Sequence, residues 1–274
     1  GTGSITLNGT GGNGKDLNQG IAILKSSTVK SIGGNITLTG TGNGTENSNV
    51  GILINKSTVE SGTGSITLNG TGGNGKDLNR GISIQDNSTV KSEAGSITLE
   101  GIGAKGTDDG NQRILISNSV IDAILGNVTL TGDEIQLSGT SQLKGTQTIQ
   151  LQPLTPDLPI TIGGIQPNSD VPPLNLDQAE LDKFIGFSQM IIGRTDGTGK
   201  IAIDPAGVKF NSSTTTIQSP IAPGSIAVDG PITAKGSIVF NGANTLSKNV
   251  TTIDKNITFN SPVTLTNNVF VGTG

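Results

Sequence analysis

The stretch GGNGKD at residues 11–16 has the pattern GGxGxD, with which a calcium-binding nonapeptide begins. It returns unchanged at residues 72–77. Calcium chemistry would need several carboxylate and carbonyl oxygens around one ion, with Asp16 and Asp77 as the first candidates. Asp108 and Asp109, in the corresponding part of a later repeat, are the next acidic pair.

The spacing around these aspartates argues against a calcium site. The nonapeptide needs an inward apolar residue two places after the Asp, and neighbouring copies nine residues away. Here Leu17 follows Asp16 directly, Asn18 holds the apolar position, and the next copy comes 61 residues later. A plain loop is the favoured interpretation, and a calcium-binding repeat is a minor alternative.

Acid–base catalysis has few candidates. The chain contains no His, and Arg194 with Asp196 in GRTDGTG is the nearest approach to a reactive pair. A turn stabilised by Asp196 and Gly197 explains the same residues more simply. We therefore predict no enzymatic activity and no cofactor.

Asparagines in N-x-S/T motifs are dense for a chain of 274 residues and could carry glycans. Chance in a chain rich in Asn, Ser and Thr is the favoured explanation, together with asparagine ladders at coil corners. The candidates are Asn8, Asn35, Asn43, Asn55, Asn69, Asn87, Asn127, Asn211, Asn249 and Asn256.

Composition limits the classes of function. Only 2% of the residues are aromatic, 42 are Gly, and the formal net charge is −4, so a conventional aromatic-rich core and a basic surface for nucleic acid are both excluded. No apolar run approaches the ~20 residues of a membrane span. We expect any secretion signal to lie outside this segment.

A repeat must position the candidate residues. GSITLNG or a close variant starts at Gly3, Gly34, Gly64, Gly95 and Gly126, in steps of 31, 30, 31 and 31 residues. Each step has three short Ile/Val/Leu alternations separated by Gly, Ser and Asn. This pattern predicts an all-β parallel β-helix, a solenoid with three strands per coil and inward Ile and Val columns.

The surplus length in each repeat lies between Leu7 and Ile21 and at the equivalent positions, so we expect long corner loops that stack in the first half. Two columns of charge then alternate in sign from coil to coil. Such alternation would fix the register of the coils and indicates a two-coil module of 61 residues. The columns are Lys15, Glu46, Lys76 and Asp108, and Lys30, Glu60, Lys91 and Asp122.

Threonines also recur at one outward strand position: Thr6, Thr37, Thr67, Thr98 and Thr129. A flat Thr array can order water, so an ice-binding face is a further minor alternative. A single column is narrow for that purpose, and Thr is a common outward strand residue.

The second half, 126–274, continues the alternation with irregular coils of about 20 residues. One interruption predicts a short helix near 177–186, which Asp177 would cap and on which Leu181, Phe184 and Ile185 would share a face. We therefore divide the chain into 1–125, with four long-loop coils, and 126–274.

The stretches 148–164, 176–203, 207–220 and 261–274, from TIQLQPLTPDLPITIGG to SPVTLTNNVFVGTG, resemble the repeat region of filamentous-haemagglutinin-like exoproteins, adhesins of two-partner secretion of the cyanobacterial type. The resemblance is looser over the 31-residue repeats. It implies a right-handed parallel β-helix shaft, an outer-membrane secretion partner, and secretion to the surface of a Gram-negative bacterium.

We therefore expect a structural shaft segment of a filamentous adhesin or extracellular fibre. Its partners would be neighbouring coils of the same or identical chains, assembled end to end, and a cell-surface receptor or carbohydrate. The alternative is a carbohydrate- or partner-binding module that uses the stacked loops. Sugar-binding surfaces usually offer exposed rings, and these loops have none.

Overall fold

The computed structural model describes residues 1–103, 113–164 and 174–273, and these residues form a parallel β-helix. They contain 31 strands and one helical turn. The chain divides into two compact units, one with the described residues up to Gln147 and one with those from Thr148 onward. The predicted all-β solenoid with three strands per coil is confirmed.

The first unit has fifteen strands in its described residues. They are β1 (Ile5–Thr10), β2 (Ile21–Ile23), β3 (Thr28–Ser31), β4 (Ile36–Thr41), β5 (Ile52–Asn55), β6 (Thr58–Ser61), β7 (Ile66–Thr71), β8 (Ile82–Gln85), β9 (Thr89–Ser92), β10 (Ile97–Ile102), β11 (Ile114–Ser117), β12 (Val120–Ala123), β13 (Val128–Thr131), β14 (Ile135–Ser138) and β15 (Gln142–Gly145).

The second unit has shorter strands and the helical turn. They are β16 (Thr148–Gln152), β17 (Ile160–Ile162), β18 (Leu174–Leu176), α1 (Gln178–Leu181), β19 (Phe184–Ile185), β20 (Gln189–Gly193), β21 (Lys200–Ile203), β22 (Val208–Phe210), β23 (Thr214–Gln218), β24 (Ser225–Val228), β25 (Ile232–Ala234), β26 (Ser237–Asn241), β27 (Ala243–Leu246), β28 (Val250–Thr252), β29 (Ile257–Phe259), β30 (Val263–Leu265) and β31 (Val271–Thr273).

Within the first unit, each strand pairs with the strands that lie three positions before or after it in chain order. The three resulting stacks are β1-β4-β7-β10-β13, β2-β5-β8-β11-β14 and β3-β6-β9-β12-β15. Pairing is parallel and keeps the sequence repeat in register, so that Ile36 faces Ile5 on one side and Ile66 on the other. Each 31-residue repeat is therefore one coil.

The second unit stacks in the same way with less regular steps. Its stacks are β16-β20-β23-β26-β29, β18-β17-β21-β24-β27-β30 and β22-β25-β28-β31. The step from Thr148 to its partner Gln189 spans 41 residues, whereas the step from Ile238 to Ile257 spans 19. The longest step contains α1 and β18.

The core consists of the inward columns. Ile52, Ile82 and Ile114 are register partners and are completely buried. Burying such a side chain stabilises the fold by roughly 1.5–3 kcal/mol, and the coils repeat this contribution. The second unit adds aromatic volume: Phe240 is fully buried and stacks on Phe259 with ring centroids 4.8 Å apart.

Helix α1 is shorter than the predicted span. Asp177 caps it as expected: its side chain accepts a hydrogen bond from the Glu180 N–H, and the Glu180 side chain accepts one from the Asp177 N–H. The helix ends at Leu181, and residues 184–185 form β19, which leaves Ile185 42% exposed. Leu181, Phe184 and Ile185 therefore do not share a helical face, because strand conformation sends neighbouring side chains to opposite sides.

The helical turn also completes a sheet edge. The Gln178 side chain accepts a hydrogen bond from the Lys209 N–H at 2.8 Å and donates one to the Lys209 carbonyl at 3.1 Å. Lys209 lies in β22, the outermost strand of its stack in the described residues. One amide side chain thus replaces the next strand at this position.

None of the described residues forms a helix long and apolar enough to cross a membrane.

A glycine column marks where each coil turns. Gly9, Gly40, Gly70 and Gly101 are register partners in the first stack. A Cβ added to Gly70 would lie well inside van der Waals contact of the Gly81 carbonyl, which belongs to the same coil. The chain therefore requires Gly here for a close backbone approach.

We predict that Gly70→Ala lowers the free energy of unfolding by about 1–3 kcal/mol, because the methyl group forces the backbone at Gly81 to move. Urea denaturation followed by circular dichroism measures the change. Gly33→Ala is the matched control, since its Cβ would meet only side-chain atoms no closer than 3.6 Å. Equal effects of the two substitutions would contradict the proposed role of the column.

Candidate functional site

The most elaborate surface of the first unit is the set of long corner loops that follow β1, β4 and β7, here called the loop face (residues 11–20, 42–51 and 72–81). Main-chain bonds join the loops directly: Glu46 donates its N–H to Lys15 O, and Lys76 donates to Glu46 O, both at 2.9 Å. Leu17, Ser48 and Leu78 hold equivalent positions with φ of 59°, 58° and 57°. The loops therefore repeat one conformation.

An asparagine ladder runs beneath the loop face. Asn18, Asn49 and Asn79 each stand three residues before the first Ile of the next strand. The Asn49 side chain accepts from the Asn18 N–H and side-chain amide, at 3.0 and 2.9 Å, and donates to Lys15 O. Asn79 accepts from the Asn49 N–H and donates to Glu46 O. Asn49 and Asn79 are completely buried.

The sequence analysis expected asparagine ladders at coil corners among the N-x-S/T asparagines, whereas this ladder consists of Asn18, Asn49 and Asn79, which lie outside those motifs. Asparagine at a fixed distance before Ile21, Ile52 and Ile82 indicates one structural position. A buried amide is tolerated only when its donors and acceptors are paired, and the neighbouring coil supplies the partners here.

A serine ladder lies at the corner before β3, β6, β9, β12 and β15. The N–H of Ser57 donates to the Ser88 hydroxyl, and that of Ser88 to the Ser119 hydroxyl, both at 3.2 Å. Ser57, Ser88 and Ser119 are buried. These serines, like the asparagines, stabilise corners and offer no group to a ligand.

The calcium candidates do not come together. The Asp16 side chain accepts a hydrogen bond from the Asn47 N–H at 2.7 Å, and the Asn47 side chain accepts one from the Asp77 N–H at 3.2 Å. Asp16 therefore binds the next loop, and Asp77 lies one coil beyond that. Asp108 and Asp109 lie outside the described residues. Within the described residues, no group of three or more Asp or Glu side chains could hold a metal ion.

In the loop-face charge column, Lys15 and Glu46 form an exposed ion pair. Lys15 Nζ lies 3.2 Å from Glu46 Oε1, with 76% and 40% of the two side chains exposed. Lys76 is in the next coil, and its N–H donates to Glu46 O. The last predicted member, Asp108, is outside the described residues. Such an exposed pair contributes at most ~1 kcal/mol, so register is its better-supported role.

The second charge column lies on the third strand of each coil. Lys30 faces Glu60 in register, with Nζ 3.2 Å from Oε2. Glu60 also faces Lys91, and Lys91 faces Asp122. The Lys91 ammonium lies 3.5 Å from Glu93 in its own coil.

The structure adds a residue to this column that the sequence analysis missed. Lys144 in β15 is the register partner of Asp122. The signs therefore alternate over five coils. Lys91 and Asp122 are 31 residues apart, but Asp122 and Lys144 are only 22 apart. A search for the next charged residue at a constant period therefore misses Lys144.

A third charged group lies where the long loops end. Burial lowers the pKa of Arg80 from its ordinary value, and the charge of Glu134 acts in the opposite direction. Arg80 directly follows Asn79 of the asparagine ladder. Glu134 thus offsets part of the cost of burying a guanidinium at the base of the third loop.

In the second unit, Arg194 and Asp196 form an ion pair that holds two segments of the chain together, here called the Asp196 clip. The guanidinium donates to both Asp196 carboxylate oxygens, at 2.7 and 2.9 Å, and to the carbonyls of Pro153 and Leu154, each at 3.1 Å. The hydrogen bond from Arg194 lowers the pKa of the Asp196 carboxyl. With its donors used in this way, Arg194 joins the 194–197 turn to the segment after β16.

The candidate glycosylation sites differ in exposure. Two are half-buried, Asn55 and Asn69, and the Asn55 side-chain amide donates to the Asp86 carboxylate at 2.8 Å. The exposed asparagines are Asn8, Asn35, Asn43, Asn87, Asn127, Asn211, Asn249 and Asn256.

An aromatic cleft lies beside α1. It encloses about 230 Å³ and is lined by Phe184, Phe187, Met190, Lys209 and Phe210, with other residues. Phe187 is 5% exposed and Phe210 1% exposed, so these rings belong to the core and offer no flat face to a sugar.

We predict that Asn49→Ala lowers the free energy of unfolding by about 1–3 kcal/mol, because it leaves buried donors and acceptors of two loops without partners. Hydrogen exchange should also accelerate at the amide of Asn18. Asn256→Ala, at an exposed position, is the control. Wild-type exchange at Asn18 in the Asn49 variant would contradict the ladder.

We predict that Glu60→Lys destabilises the first unit by up to ~1 kcal/mol at low salt, because it places three lysines in register. The effect should fall as salt is raised, since the charges are partly exposed. Glu100→Lys is the control, because Glu100 faces the uncharged Asn69 and Thr131. Destabilisation that does not change with salt would contradict the electrostatic explanation.

The Asp196 clip should make stability depend on pH. Because the folded-state pKa is depressed, its contribution is present above the unfolded-state value of about 4 and is lost as the pH falls through the folded-state pKa. We predict that Asp196→Asn lowers the melting temperature at pH 7. We also expect the melting temperature of this variant to fall less steeply than that of the wild type as the pH is lowered below about 4. Asp157→Asn, which removes another exposed carboxylate, is the control. An unchanged pH dependence of stability in Asp196→Asn would contradict the assignment.

No family model, no curated protein and no solved structure matches this chain. Its function is therefore inferred from the stacked coils and from the side chains that the coils present.

Proposed function

We propose that this chain is a structural shaft segment of a secreted or cell-surface filamentous adhesin or extracellular fibre. The observation that carries the proposal is the stacking itself. In each unit, equivalent strands pair in parallel, and most inward side chains of adjacent coils are apolar and stack in register. Backbone hydrogen bonds then run along the stack and resist its extension.

The assignment of the polar residues supports a mechanical role and not a catalytic one. Asp16, Asn49 and the Arg194–Asp196 pair, the most conspicuous polar groups, bind the main chain of neighbouring coils or turns. A catalytic site needs groups that face a substrate.

The resemblance to filamentous-haemagglutinin-like exoproteins supports the location of the shaft. On this proposal the chain reaches the surface of a Gram-negative bacterium, of the cyanobacterial type, through an outer-membrane partner. The shaft would hold an adhesive part away from the cell, or build fibres itself.

End-to-end contact with further coils is part of the proposal. β1, β2 and β3 are the outermost strands of their stacks in the described residues, and Leu7 of β1 is 39% exposed. In the second unit β30 and β31 are outermost, with Leu265 58% exposed. Strand edges of this kind pair readily with additional strands.

Electron microscopy of the cell surface tests the proposal. The chain has no Cys, so one introduced thiol can carry a gold label. Ser26→Cys places the thiol at an exposed corner, and Ser88→Cys, at a position 1% exposed, is the control that should label poorly. We expect gold along thin surface filaments at a regular axial spacing. Discrete particles without filaments would overturn the proposal.

A glycan-binding assay tests the alternative function, in which the loop face binds carbohydrate. If the wild-type protein bound immobilised glycans and Lys15→Ala with Lys76→Ala did not, the function would belong to the loop face. We expect no retention of either protein.

A further inference from the structure

The outward face of β1, β4 and β7 is a regular polar surface, here called the threonine face. Each strand contributes three alternate side chains, and the nine side chains are seven threonines and two asparagines. They are Thr6, Asn8 and Thr10; Thr37, Thr39 and Thr41; and Thr67, Asn69 and Thr71. β10 and β13 extend the first column with Thr98 and Thr129.

These side chains form a lattice in two dimensions. Residue-by-residue pairing without a bulge places Thr37 between Thr6 and Thr67, and Thr41 between Thr10 and Thr71. Neighbours are about 4.8 Å apart between coils and about 6.6 Å apart along a strand. The sequence analysis considered only the first column, whereas the strands extend far enough to present three.

The polar groups of this lattice are unused by the protein. None of the nine side chains forms a hydrogen bond or ion pair with another of the described residues. Outward threonines elsewhere do: the Thr251 hydroxyl donates to Ile232 O at 3.1 Å, and the Thr146 hydroxyl donates to Ile124 O at 2.7 Å. The threonine face therefore offers all its hydroxyl and amide groups outward.

The composition of the face restricts its partner. Within β1, β4 and β7 it carries no charge and no aromatic or large apolar side chain, which are the anchors of protein interfaces and of sugar-binding surfaces. Glu100 and Ile102 of β10 border it next to Asn69 and Thr71. Each threonine offers one methyl group and one hydroxyl, so a single contact is weak. Binding becomes substantial only when the partner has the same two-dimensional periodicity and engages many positions together.

We propose that the threonine face binds ice. Ice is a periodic, uncharged solid whose surfaces present a two-dimensional array of water molecules, and these molecules both donate to and accept from hydroxyl groups. The methyl groups would sit between rows of ordered water while the hydroxyls and the Asn amides replace lattice hydrogen bonds. This activity is independent of the shaft function and would let a filament attach to ice.

Ice-partition experiments test the inference. Ice is grown slowly in a solution of the whole chain, and the protein in the ice and in the remaining liquid is measured. Thr39→Lys places a bulky charge at the centre of the nine side chains, between Asn8 and Asn69. Thr245→Lys, at an exposed outward position of β27, is the matched control. Circular dichroism verifies that all three proteins are folded.

We expect the wild-type protein and Thr245→Lys to enter the ice and to separate its melting and freezing temperatures, and Thr39→Lys to lose both effects. Exclusion of the wild-type protein from ice would overturn the inference, and so would equal incorporation of wild type and Thr39→Lys. Neither result bears on whether the chain forms surface filaments, which electron microscopy measures separately.

Discussion

Main-chain hydrogen bonds between equivalent strands of successive coils hold each residue of the repeat beside its equivalent, about 4.8 Å away. Every other feature of the first unit depends on this constraint. A position that suits one coil is presented again by the next, so a favourable contact becomes a column and an unfavourable one is multiplied. Ile52, Ile82 and Ile114 show the favourable case, since each packs on the next in a buried column.

The same constraint explains the polar columns. Identical charges in register would repel, and the column of Lys30, Glu60, Lys91, Asp122 and Lys144 alternates in sign. Identical amides or hydroxyls in register do not repel, because each both donates and accepts. Asn49 and Ser88 therefore stand in columns of their own kind and satisfy the backbone at corners where no strand continues.

Two faces of the first unit use these rules differently. On the loop face, the side chains of Asp16 and Asn49 bind the neighbouring loop. These bonds hold the loops rigidly, and they leave the same polar groups unavailable to a ligand. On the threonine face, the strand backbone pairs with the neighbouring coils and the outward side chains remain available. A role in support fits the first surface, and recognition of a periodic partner fits the second.

The sequence by itself determined the solenoid, the three strands per coil, the inward Ile columns and the positions of the long loops. These are one-dimensional patterns, and a constant period converts them directly into neighbours. It also located the Asp177 cap, because capping is local.

Only the tertiary structure decided contacts that join unlike segments. The bonds of Arg194 to the Pro153 and Leu154 carbonyls cross about forty residues, and Gln178 meets Lys209 across thirty-one. The early end of α1, the entry of Lys144 into the charge column and the three-column width of the threonine face also required it. Each depends on where an irregular coil or a strand end lies in space, and no repeating pattern in the sequence encodes that position.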